Sequence, residues 1–123
     1  MCIRDRYDEA LKEIPVLKLP YRRPNSTHVF HQYTLQIPAA DRDALQVFLK
    51  SKSIPTMVYY PIPLYQQKAF QPYISSSISL PTTEQLCQSV ISLPIHTEME
   101  EDLQEYIIAV SYTHLTLPTI LLV

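Results

Sequence analysis

Glycine is absent from all 123 residues, whereas proline occurs eleven times. A chain so composed has no glycine-rich loop to cradle phosphate. A nucleotide or cofactor phosphate bound by this protein is therefore expected to be held mostly outside this segment. The prolines also punctuate the chain, because each fixes its own φ and lacks a backbone donor. The elements have to be read between them.

Tyr7 to Glu13 (YDEALKE) reads as the tail of a helix stopped by Pro15. Pro15 to Pro24 is expected to be extended, and Asn25-Ser26-Thr27 to turn. His28 to Ile37 (HVFHQYTLQI) alternates, with Val29, His31, Tyr33, Leu35 and Ile37 on one face and Phe30, Gln32, Thr34 and Gln36 on the other. Period two predicts a strand. Asp41 is placed to cap a helix running to Lys52, with Ala44, Leu45, Phe48 and Leu49 as its apolar stripe. Ser53 follows where glycine would be least strained in a left-handed conformation. Thr56 to Tyr60 (TMVYY) reads as a second short strand closed by Pro61 and Pro63. Leu64 to Phe70 suits a helical turn and Gln71 to Ser79 a loop. Pro81 then starts a helix to Ser92, with Leu86, Cys87 and Val90 inward, and Leu93 to His96 is extended. Thr97 and Glu100 have capping-box spacing for a last helix whose Met99, Leu103, Tyr106 and Ile107 share a face. The fold class expected is α+β: a small sheet of two to four short strands with helices on one side.

The two ends read differently. Met1 to Asp5 can be written ATG TGT ATA AGA GAC, whose opposite strand, GTC TCT TAT ACA CAT, encodes Val-Ser-Tyr-Thr-His, the residues at Val110 to His114. One inverted DNA segment thus accounts for both ends, and it resembles a transposon-end adapter of sequencing libraries, whose continuation reads as Leu115 to Thr119. Residues 1–6 and 110–123 are accordingly expected to be adapter-derived, and 7–109 to form one modest domain with both native ends missing.

Ten basic against twelve acidic residues, without a basic block, argue against nucleic acid or an anionic membrane as partner. The tail LTLPTILLV is far shorter than the ~20 residues a span needs, so no membrane segment is expected. Cys87 is the one cysteine outside the suspect ends, which fits a reducing, cytoplasmic setting.

Three polar-aromatic clusters stand out. In His28-Val29-Phe30-His31-Gln32-Tyr33 the histidines lie three apart, on opposite faces of a strand, so they do not chelate one metal. His31 and Tyr33 either finish a half-buried sheet or face a ligand. In Tyr59-Tyr60-Pro61-Ile62-Pro63-Leu64-Tyr65 two prolines stiffen a loop, so its tyrosines are held at low entropic cost. They serve a binding site or pack a domain interface. In Leu93-Pro94-Ile95-His96, His96 reads as the neighbour of a helix cap. No nucleophile motif, carboxylate pair or metal cluster makes a self-sufficient active site. Cys87 reads as inert core and Lys68 as a surface lysine.

Taken together, HVFHQYTLQI, RDALQVFLKSKSIPTMVYYPIPLYQQKAF and VISLPIHTEM resemble the C-terminal part of the DegT/DnrJ/StrS family of sugar aminotransferases. The likeness covers nearly all of Tyr7 to Ala109, in order and at matching spacing. It implies the C-terminal small domain of a fold-type I enzyme dependent on pyridoxal 5′-phosphate (PLP). Such enzymes transfer an amino group, usually from glutamate, to a nucleotide-linked keto-sugar. The resemblance also implies that the Schiff-base lysine, the phosphate cup and the acid facing the pyridine nitrogen belong to an N-terminal large domain. This segment would then hold no catalytic, cofactor or metal residue and be inactive alone. Its partners would be that large domain, the nucleotide-sugar, glutamate and a second copy in a homodimer. His28, His31, Tyr59, Tyr60 and Tyr65 are the residues the resemblance places near the sugar. Tyr59 stands where histidine is common, Tyr65 replaces the histidine after P-x-P-L, and Ser53 replaces glycine. Tyrosines there suit hydrogen bonds to sugar hydroxyls better than proton transfer. The alternatives are the small domain of another fold-type I PLP enzyme and a free-standing α+β module that binds a ligand or partner.

Overall fold

The computed structural model describes residues 1–75 and 77–117. Helix α1 (Ile3–Leu11) is followed by strand β1 (Tyr33–Gln36), helix α2 (Ala39–Ser51), helix α3 (Pro81–Ser89), strand β2 (Val90–Leu93) and helix α4 (Glu101–Thr116). Two 3₁₀ turns, Leu64–Gln66 and Gln71–Tyr73, lie between α2 and α3.

β1 and β2 pair antiparallel with Tyr33 opposite Leu93, Thr34 opposite Ser92 and Leu35 opposite Ile91. Single bridges extend the layer on both sides, Lys18 with Gln36 and Met57 with Ser92. Four chain segments therefore lie side by side, though only the central two are strands. Tyr33, Leu35, Ile91 and Leu93 face Tyr7 and Leu11 of α1, Leu45 and Leu49 of α2, and Ile107 of α4, all in one buried cluster. Pleating turns Thr34 and Ser92 to the opposite face, where their hydroxyls hydrogen-bond at 2.8 Å. The expected α+β layer is present.

Several local expectations give way to tertiary contacts. The alternation of His28 to Ile37 holds only from Tyr33, because Phe30 has φ 52 and reverses the pleat. Phe30 is thereby buried while Val29 is 87% exposed. Thr56 to Tyr60 is no strand. Only Met57 pairs, and the chain then leaves the sheet towards Pro61 and Pro63. α2 begins at Ala39 behind Pro38, with no side-chain cap from Asp41, and Ala44 is exposed. α3 stops at Ser89, three residues before the expected end, and passes without a loop into β2, where Val90 is buried as a strand residue. α4 starts at Glu101 without the capping box, and its buried face carries Gln104, Ile107 and Ser111 instead of Leu103 and Tyr106. Gln104 is satisfied by the Ile3 carbonyl at 2.6 Å and Ser111 by the Ile107 carbonyl at 2.7 Å, which permits their burial.

The end of α2 follows expectation. Ser53 takes φ 61, its N–H bonds the Lys50 carbonyl, and the Ile54 N–H bonds the Leu49 carbonyl at 2.9 Å. This is a Schellman motif with Ile54 and Leu49 buried together, made by serine at a cost of about 1–2 kcal/mol relative to glycine.

The terminal segments continue the helices, residues 3–6 forming the first part of α1 and residues 110–116 the last part of α4. Arg6 bonds Glu101 at 2.9 Å, and His114 stacks on Phe48 with ring centroids 4.4 Å apart. Residues 118–123, which carry most of the apolar tail, lie outside the described residues. Among the described residues, no helix is long and apolar enough to cross a membrane.

Candidate functional site

The sheet face turned away from the helices carries a cleft of about 280 Å³, at the small end of the range for ligand pockets. Its floor is Ser92 of β2. His31 and Gln32, which precede β1, form one wall; Met57 and Tyr59 beyond the sheet edge form another. His96 closes it where the chain leaves β2. The placement follows from the pleat. Ser92 faces outward because Ile91 and Leu93 face the core, and Met57 arrives by its reciprocal backbone bonds with Ser92, at 3.2 and 2.8 Å.

The cleft mixes two kinds of surface. His31, Gln32, Tyr59 and His96 supply hydrogen-bonding groups, while Pro55, Met57 and Pro94 supply apolar walls. That combination suits a sugar ring, whose hydroxyls need partners and whose C–H faces need apolar contact. The cleft adjoins a second hollow that shares His31, Ile95 and His96 and reaches Phe30 and Arg4.

Of the five residues singled out in the sequence, His31 and Tyr59 meet in the cleft. His28 does not. Its ring stacks on Phe30 at 3.8 Å, and its Nδ1 accepts the Phe30 N–H at 2.9 Å, so it shapes the bend before β1. Tyr59 and Tyr60 also wall an apolar hollow against Thr83, Leu86 and Cys87 of α3. Tyr60 is 73% exposed and Tyr59 40%. Tyr65 lies farther along, its hydroxyl on the Glu84 carboxylate, which holds that hydroxyl above the ordinary tyrosine range.

Sequence reading missed Gln32, Met57 and Ser92, and weighed His96 only as a cap neighbour. His96 is indeed beside the start of α4, its carbonyl accepting the Met99 N–H at 3.2 Å, but its side of the chain also borders the cleft. The one available signal was the alternation through VISL, which turns Ser92 away from the core. The described residues contain no group of three metal-ligating side chains. No lysine is among the residues lining the clefts described above, so they offer no group for a Schiff base to PLP.

The sequence model of the DegT/DnrJ/EryC1/StrS aminotransferase family matches residues 2–111. A "pleiotropic regulatory protein" of Geobacillus stearothermophilus is 44% identical over 101 residues, covering 82% of this chain and 26% of the relative. A UDP-N-acetyl-3-dehydro-alpha-D-glucosamine 3-aminotransferase of Acidithiobacillus ferrooxidans is 40% identical over 86 residues, covering 70% of this chain and 22% of the relative. Among solved structures, S. venezuelae DesV in complex with a ketimine intermediate superposes with a TM-score of 0.86 at 26% identity, covering 94% of this chain and 31% of DesV. The chain thus spans about a quarter of the length of the curated relatives it matches.

Proposed function

Because this chain belongs to the DegT/DnrJ/EryC1/StrS aminotransferase family, we propose that it is the small domain, residues 7–109, of a PLP-dependent enzyme that transfers an amino group from glutamate to a nucleotide-linked keto-sugar. The observation that carries this reading is the cleft. His31, Tyr59 and His96 present hydrogen-bonding groups around apolar walls on a face that the helices leave uncovered.

The cleft residues do not fit PLP itself, since they include no lysine and no phosphate cradle. The cofactor, the Schiff-base lysine and the transfer chemistry then belong to the remaining length of the protein, in a large domain preceding this one. What this segment contributes is binding and orientation. A sugar ring lies between Met57 and Pro94, its hydroxyls engaged by His31, Tyr59 and His96, which fixes the carbonyl carbon relative to the amino donor. His28 shapes the bend that leads to His31, Tyr60 walls the hollow next to Tyr59, and Tyr65 ties the loop to α3. A homodimer and a cytoplasmic location belong to the same reading. The terminal segments 1–6 and 110–123 are adapter-derived in this reading, and of their described residues 3–6 and 110–116 prolong α1 and α4.

Half-reactions in the full-length protein test the proposal, because amination of PLP by glutamate needs no sugar. His31→Asn and Tyr59→Phe are expected to slow the sugar half-reaction several-fold and leave the glutamate half-reaction within about twofold. Equal loss in both halves would assign the cleft to the cofactor or the fold.

A further inference from the structure

Glu84 is not among the residues that sequence or family likeness pointed to, yet it holds the stiff loop that ends at Tyr65. The loop is fixed twice. At its start Met57 and Ser92 exchange backbone hydrogen bonds at the sheet edge. At its end the Tyr65 hydroxyl donates to Glu84 Oε1 on α3. The same hydroxyl accepts the Leu80 N–H at 3.5 Å and the Gln66 Nε2–H at 3.3 Å. A tyrosine hydroxyl has one proton and two lone-pair directions, so these three partners take up its capacity. Tyr65 then has nothing left to offer a substrate.

Both partners are half-buried, whereas Tyr59 and Tyr60 between the anchors are exposed. Pro61 and Pro63 transmit the fixation, because they remove two φ rotations from the short path to Tyr65. Pro63 also accepts the Gln66 N–H at 2.9 Å, tightening the turn that delivers Tyr65 to α3. From this geometry we infer that Glu84, through Tyr65, is a positioning residue for Tyr59 and Tyr60. The inference rests on the proposed sugar-binding role of the cleft. It assigns Tyr65, which by resemblance replaces the histidine after P-x-P-L, to loop anchoring.

The contact also has a definite chemistry. Glu84 accepts, so the glutamine amide oxygen can replace it, whereas alanine cannot. In the full-length protein, Glu84→Ala and Tyr65→Phe are each expected to raise KM for the nucleotide-sugar about three- to tenfold, as loss of one hydrogen bond predicts. The double variant should match either single one, and Glu84→Gln should stay within about twofold of the parent. The glutamate half-reaction is the control, and amide exchange over residues 57–67 reads loop fixation independently of function; both alanine and phenylalanine variants should speed it. Unchanged exchange in Glu84→Ala overturns the inference. So does an additive double variant, or faster exchange with unchanged sugar KM when His31→Asn does raise that KM. If His31→Asn leaves the sugar step untouched, the sugar reading fails, and exchange alone decides whether Glu84 anchors the loop.

Discussion

The Tyr33 hydroxyl donates to Asp8 Oδ1 at 2.6 Å, joining β1 to α1 across 25 residues. Arg22 takes the other carboxylate oxygen of Asp8 and reaches Asp5 at 2.9 Å, while its guanidinium lies 4.8 Å from the centre of the Phe30 ring. Tyr7 packs tilted against Tyr33 with centroids 4.8 Å apart and donates its hydroxyl to the Pro94 carbonyl at 2.7 Å. One helix face is thereby tied to both strands next to the cleft wall. Tyr33→Phe removes a hydrogen bond to a charged acceptor from a fully buried ring. The expected loss is about 1.5–3 kcal/mol, towards the lower end because Arg22 still pairs Asp8. It should appear as a lower urea midpoint at unchanged m-value. A midpoint equal to the parent's would mean that Asp8 is fully satisfied without Tyr33.

Alkaline pH attacks the same cluster. Burial pushes the Tyr7 hydroxyl well above the ordinary tyrosine range, and burial followed by the Asp8 hydrogen bond does so for Tyr33. Above about pH 10 the unfolded chain has released these protons while the folded chain keeps them. Stability from the two hydroxyls is therefore whole below that pH and is lost as pH rises past it. With both groups contributing, the slope approaches about 2.7 kcal/mol per pH unit. Urea midpoints measured from about pH 9 to 11 should fall accordingly. Tyr7→Phe should roughly halve the slope; an unchanged slope would place the alkaline transition in other groups.

Arg42, buried on α2, ties that helix to the end of α3. Its Nη1 donates to the carbonyls of Cys87 and Val90 at 3.2 and 2.9 Å, closing the end of α3 where the chain turns directly into β2. Asp43 receives its Nε–H at 2.6 Å. Arg42→Met keeps much of the apolar stem but leaves two buried carbonyls without this donor. That should cost about 2–4 kcal/mol. Lysine should recover only part, since an ammonium lacks the planar fork. A neutral methionine variant in chemical denaturation would show that the desolvation of this guanidinium already offsets its bonds.

These contacts explain where the sequence was readable. Leu45 and Leu49 reveal the core face of α2, and Tyr33 and Leu35 that of β1, continued by Ile37 just beyond it, because hydrophobic period follows burial directly. Phe30 was misread because its left-handed backbone shifts the period by one, and no glycine announces it. Gln104 and Ser111 on the buried face of α4 escape a sequence reading, because their burial depends on the Ile3 and Ile107 carbonyls that receive them, which composition does not reveal. The cleft was half legible. His31 and Tyr59 stand in marked clusters, whereas Met57 and Ser92 join them only through a cross-strand bridge.

Within the stiff loop, the two neighbouring tyrosines should not be equivalent. Tyr59 is 40% exposed and walls both the polar cleft and the apolar hollow over α3, whereas Tyr60 is 73% exposed and, of these two, lines the hollow. A hydroxyl directed at a bound sugar is worth about 0.5–1.5 kcal/mol. Tyr59→Phe in the full-length protein should therefore weaken sugar binding about two- to tenfold, and Tyr60→Phe should stay within about twofold. If the Tyr59 contact tightens only in the transition state, the loss moves from KM to the turnover of the sugar half-reaction. Folding stability separates this from packing: both phenylalanine variants keep their rings, so their urea midpoints should match the parent's. A larger sugar defect in Tyr60→Phe would place the sugar in the hollow between the loop and α3 instead of the cleft on the sheet.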